Sequence, residues 1–92
     1  MNFYKSGKWK KKRAAVLRRD KYECRECKRY GKAVQANTVH HVYPLELYPD
    51  RKLDSNNLIS LCNGCHEAMH IRNSHELTDK GKAWIKRLEK YF

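Results

Sequence analysis

The chain has 92 residues, with 21 Lys and Arg against 10 Asp and Glu, a formal net charge of +11. That length makes one small domain, and the lack of any apolar run near the roughly 18 residues of a membrane span excludes such a span. A core this small usually needs a staple, and four Cys and five His are present to supply one. The cation excess predicts a polyanionic partner, although a ribosomal protein or a merely soluble one has such a balance too. The basic amino terminus lacks the apolar segment of a secretory signal, so a cytoplasmic location is expected.

Residues 1–29 hold 12 basic and 3 acidic side chains, a net of +9, whereas residues 30–92 hold 9 and 7, a net of +2. Within the first part Lys8, Lys10, Lys11, Lys12, Arg13, Arg18 and Arg19 interleave with Trp9, Val16 and Leu17. Those apolar positions fall at i, i+7 and i+8, one face of a helix. With Ser6 as N-cap, the pattern predicts an amphipathic helix over about Gly7 to Asp20. Seven cations with no acid before Asp20 predict phosphate contact that is blind to base sequence and sensitive to salt. A solvated helix face is the simpler alternative. Lys21 to Tyr30 reads as a Cys-bearing turn. Ala33 to Val42 is strand-like and runs into His40 and His41. Tyr43 to Asn56, with Pro44 and Pro49, reads as a loop, and Asn57 to Leu61 as a short apolar strand or turn. A helix is expected from about Cys65 to Arg72, then a loop containing His75. A last helix is expected from about Asp79 to Tyr91, capped by Thr78, with Trp84, Leu88 and Tyr91 as its inward stripe.

Cys24 and Cys27 form one C-x2-C pair, Cys62 and Cys65 another, with 34 residues between them. Each pair presents two thiolates from a tight turn, and two such turns complete a closed, tetrahedral zinc site that folds the domain. A cytoplasmic chain disfavours disulfides. Four thiolates and one Zn2+ change the charge from +11 to +9. A C2H2 finger built on Cys24, Cys27 and His40 needs a second His at 44 to 46, where Pro44, Leu45 and Glu46 stand. The string Cys62-Asn63-Gly64-Cys65-His66 matches a c-type haem attachment, but that reading needs export and leaves Cys24 and Cys27 unused.

With the thiolates engaged, the histidines are free for other work. At i and i+4 of one helix, His66 and His70 share a face that suits a divalent metal. One His from the strand would complete a half-filled sphere open to water and phosphate. Neighbouring strand residues point to opposite faces, so of His40 and His41 one faces the ion and the other stands beside it. A neutral His in that place can take a proton from water near pH 7. His75 is expected to be an ordinary hydrogen-bonding residue.

The string Val39-His40-His41-Val42-Tyr43-Pro44, followed by Asn57-Leu58-Ile59-Ser60-Leu61-Cys62 and Cys65-His66, resembles the HNH endonucleases. The likeness is closest to small zinc-bearing members of tailed phages and some restriction systems, and spans about Cys24 to His70. It implies an α+β chain with a ββα-metal (His-Me finger) core stapled by the four-cysteine zinc site. The whole of 1–92 would be one domain: a basic arm at 1–20, the zinc and metal core at 21–72, and a C-terminal helix at 73–92. By the same resemblance His40 is the ligand on the first strand, His41 the general base and His66 the ligand on the helix. Asn57 orients the base through its loop, although in some relatives it ligates the ion. His70 has no counterpart in many members, but the bacterial colicin nucleases have a His at this helical offset, which makes His70 the implied third ligand. Many members have Asp where this chain has His40. The implied activity is hydrolysis of double-stranded DNA with one divalent ion (Mg2+, Mn2+, Ni2+ or Zn2+), nicking one strand per site. A monomer in the host cytoplasm is implied, with phage terminase and packaging proteins as partners. The alternative is a non-catalytic zinc-ribbon-like DNA-binding module.

Overall fold

The structure, a computed structural model, describes residues 2–72, 74 and 76–92, so His75 lies outside the described residues. Helix α1 (Gly7–Arg19) begins where Ser6 Oγ accepts the Trp9 N–H, a side-chain cap for an otherwise orphaned donor. Its buried residues, Trp9, Val16 and Leu17, pack with Ala36, Val39 and Leu58. At its end Arg19 donates to the carbonyls of Ser55 and Leu58 and pairs with Asp20, whose carboxylate accepts the Ser60 N–H. The helix is thus clamped to the strand beneath it. Lys21 and Tyr22 then take left-handed backbone angles (φ 57° and 59°) and reverse the chain toward Cys24.

Strands β1 (Thr38–His41) and β2 (Leu58–Leu61) form an antiparallel pair, His40 opposite Ile59 and His41 opposite Leu58. The strand-like run expected from Ala33 is shorter here because its first part pairs elsewhere: Val34 O accepts from Cys24 N and Ala36 N donates to Tyr22 O. Both faces of the hairpin are covered. Val39 and Leu58 meet α1, while Ile59 and Leu61 join Val42, Tyr43, Met69, Trp84 and Leu88 in the second core. Helix α2 (Arg25–Lys28) has Cys24 as its N-cap and contains Cys27.

Helix α3 (Asn63–Glu67) starts earlier and ends sooner than the expected Cys65 to Arg72. The Ala68 and Met69 carbonyls, which a continuing helix would need, instead accept from the Thr78 hydroxyl (2.6 Å) and the Thr78 N–H (3.0 Å). His70 therefore sits in an isolated antiparallel bridge with Leu77, not on the helix. The same Thr78 hydroxyl caps α4 (Asp79–Leu88) by accepting the Gly81 N–H. A Cβ on Gly81 would lie 2.5 Å from Met69 O, so α4 rests directly on this segment's backbone. Trp84 and Leu88 face inward as expected, but Tyr91 is 50% exposed. The chain passes into a 3-10 turn at Glu89–Tyr91 beyond the end of α4 at Leu88, so Tyr91 lies outside the helix that carries the stripe; Gly81 is the third buried position of α4. No helix among the described residues is long and apolar enough to cross a membrane.

Candidate active site

Two clusters of ligating side chains lie on these elements. Sulfur atoms of Cys24, Cys27, Cys62 and Cys65 all fall within 4.8 Å of one another. Cys27 Sγ is 3.6 Å from Cys65 Sγ and 3.9 Å from Cys62 Sγ. A tetrahedron with Zn–S bonds of about 2.3 Å has sulfurs about 3.8 Å apart, so the cluster has the dimensions of a zinc site, and no disulfide joins these thiols. Burial, with the neighbouring sulfurs, pushes the Cys65 thiol well up, and burial also raises Cys27. The Cys65 backbone N–H holds Cys62 down. Four thiolates this close repel, and a dication removes the conflict.

The second cluster joins His40 of β1, His66 of α3 and His70 of the bridge, with ligand nitrogens within 4.8 Å of one another. The turn after α3 thus achieves what a longer helix was expected to do. His40 is 1% exposed, and its Nε2 and the Nδ1 of His70 are buried without a hydrogen-bond partner among the described residues. Orphaned buried nitrogens are costly, and their convergence with His66 fits a bound cation. Burial pushes the His40 pKa down to about 3, helped by His66 and His70, and burial likewise lowers His66. Both rings are therefore neutral at neutral pH, the state a metal ion requires.

His41 points to the opposite face, as strand alternation requires. Its ring stacks on Trp9 (centroids 5.0 Å apart, 22° between planes), and its Nε2 is 2.9 Å from Lys52 O. A carbonyl only accepts, so Nε2 carries the proton and Nδ1 keeps a free lone pair. Burial lowers the His41 pKa, opposed by the Lys52 hydrogen bond and the Glu46 charge. Asn57 is fully buried and its amide is engaged by backbone: Oδ1 accepts from Tyr43 N (2.6 Å), and Nδ2 donates to the carbonyls of Tyr43 and Arg51 (3.2 Å each). It ties the 43–51 loop to the hairpin. Arg51 braces the same loop, its guanidinium 4.1 Å from the Phe92 ring centre and 4.5 Å from that of Tyr43. The Lys52 carbonyl has no sequence signature, and the Arg51 contacts join residues too distant for spacing to reveal. Trp9 was legible only as a core residue.

His40, His41, His66 and His70 line one cleft of about 470 Å3, with Trp9 and Arg13 on its wall. The α1 cations divide. Lys8, Lys10, Lys11 and Arg18 are exposed, whereas Lys12 donates to Ser55 Oγ, Arg13 to Asn37 O, and Arg19 holds the fold as described.

Residues 24–72, more than half of the chain, match the family model described as HNH endonuclease. The chain is also similar to the crystal structure of an HNH endonuclease of the deep-sea thermophilic bacteriophage GVE2 with manganese ion. That match has 34% identity and a TM-score of 0.69, covering 95% of this chain and 82% of that one. No curated protein matches.

Proposed function

The chain belongs to the HNH endonuclease family of metal-dependent phosphodiester hydrolases, and from that footing we propose that it nicks double-stranded DNA with His41 as general base. The observation that carries this reading is the hairpin alternation: His40 joins two imidazoles on one face, while His41 keeps a free Nδ1 on the wall of the same cleft. His40, His66 and His70 would hold the divalent ion, which supplies positive charge to the scissile phosphate and the leaving 3′ oxygen. His41 Nδ1 takes a proton from the attacking water. The hydrogen bond from Nε2 to Lys52 O strengthens as the ring becomes cationic, and the Trp9 stack holds the ring plane. Asn57 and Arg51 act at one remove by fixing the loop that presents the Lys52 carbonyl. The four cysteines hold zinc for the fold and take no part in the reaction. Lys8, Lys10, Lys11 and Arg18 are the cations of α1 best placed to meet backbone phosphates.

The test is supercoiled-plasmid cleavage with Mg2+, Mn2+, Ni2+ or Zn2+, for wild type and His41→Ala. Open-circular product that needs an added ion and vanishes in the variant supports the reading. DNA binding with no product under any ion leaves the non-catalytic zinc-ribbon-like module instead. A role in phage genome packaging is a finer reading supported by kinship with a phage protein alone. Co-purification with terminase subunits from infected cells tests it.

A further inference from the structure

Of the described residues that line the histidine cleft, Arg13 is the one Lys or Arg, and the proposed catalysis gives it no task. Trp9 and Arg13 stand at i and i+4 of α1, so they share a face. Trp9 stacks on His41, and Arg13 Nη2 donates to Asn37 O (2.8 Å) just before β1. All four residues of β1 line the same cleft, and the edge of β1 away from β2 pairs with no strand among the described residues. The cleft therefore follows that edge from Arg13 to the histidines. In an extended chain Asn37 and His40 lie about 10 Å apart, more than one phosphate step of a DNA strand at about 3.4 Å of axis each. The Arg13 side chain is partly exposed and makes no ion pair among the described residues. Only one corner of its fork is committed, to Asn37. A planar guanidinium held at one corner and open at the other is preorganised to donate two parallel N–H bonds to a phosphate.

We infer that Arg13 is a substrate-binding residue of the cleft and not one more cation of the α1 arm: it holds a phosphate of the strand being cut, beside the scissile one, and so fixes that strand along the open edge of β1. The inference rests on the proposed DNA function and deepens it. The rival role for Arg13 is a strut that ties α1 to Asn37 and meets no substrate.

The test uses the zinc-loaded protein with no further divalent ion, and two variants. Arg13→Gln keeps a donor for Asn37 O and loses the charge; Arg13→Lys keeps both. A thymidine trinucleotide can run from Arg13 to the histidines but is too short to cover the exposed face of α1 as well. In the wild type it should shift the Arg13 Nε–H resonance and the His41 ring resonances together, and in Arg13→Gln the His41 shift should shrink several-fold. A shift at Arg13 without one at His41 returns Arg13 to the arm, and a silent Arg13 leaves it a strut; either overturns the inference. Duplex binding between about 50 and 200 mM salt gives a second reading. The slope of log K against log salt should flatten by about 0.9 in Arg13→Gln and be retained in Arg13→Lys. An unchanged slope in Arg13→Gln overturns the inference, since a strut releases no counterion. With Mn2+ and saturating plasmid, Arg13→Gln should nick about 10^2-fold more slowly, whereas loss of an arm cation would raise only the DNA concentration required; an undiminished rate overturns the inference too. If Arg13→Gln loses zinc or its cooperative melt, the wild-type resonances decide alone. Failure of the wild type to nick DNA counts against the proposed catalysis alone, because the resonances and the slope are read without turnover.

Discussion

The two ligand clusters are built from similar numbers of side chains and differ in how the fold holds them. Each cysteine pair comes from one tight turn, so half of the sulfur cluster is local wherever the chain goes. The histidine cluster has no such local unit. His40 depends on the hairpin, His66 on α3, and His70 on a bridge that exists because Thr78 and α4 dock there. The sulfurs also sit beneath the core formed around Cys24 and Trp84, whereas the imidazoles open onto a cleft with two nitrogens unpartnered. A cluster that the fold needs is closed and locally encoded. On the proposed assignment, the one that the reaction needs is open and assembled from a distance.

Breaking the first cluster should therefore do the most damage. Cys24→Ser changes a side chain with no exposed surface. It should release zinc and abolish the cooperative melt, since a structural zinc contributes about 10 kcal/mol or more to folding. Retained zinc and an unchanged melt would erase the contrast. The next largest effect is His41→Ala, expected to cut plasmid nicking by about 10^2 to 10^4. Zinc content and the circular-dichroism spectrum should stay as in wild type, and loss of either would place His41 with the fold instead of the chemistry.

His70→Ala ranks third and probes the open cluster itself. The Mn2+ concentration for half-maximal cleavage should rise about tenfold or more, with zinc retained. An unchanged metal requirement would leave His40 and His66 as the working pair. This residue also marks the limit of what spacing reveals. The C-x2-C pairs declare themselves because their ligands are neighbours in sequence, and His40 and His41 separate by strand alternation alone. His70 was expected from a helix that ends at Glu67, and reaches the cluster by another route. Nothing in the local pattern announces that Thr78 takes the Ala68 and Met69 carbonyls. Tyr91 misled for the same kind of reason: α4 ends at Leu88, an end that the apolar spacing does not signal.

The smallest expected effect separates the clusters most cleanly, because Gly81 belongs to neither. Its missing Cβ lets α4 lie on Met69 O, and an added methyl at 2.5 Å meets backbone on one side and Leu77 at 3.1 Å on the other. Backbone cannot rotate away as a flexible side chain would, so Gly81→Ala must lift α4 or shift the Met69 and His70 segment. Overpacking of this kind costs about 1–3 kcal/mol, within what a zinc-stapled fold can absorb. His70 adjoins the displaced carbonyl in the chain, while the sulfur cluster meets this segment through the core packing around Met69. The melt should therefore fall by a few degrees with zinc retained, and the Mn2+ requirement for cleavage should rise by a few-fold. Equal loss of both metals would mean that the docking of α4 supports the two clusters alike, and that the histidine site has no independent scaffold.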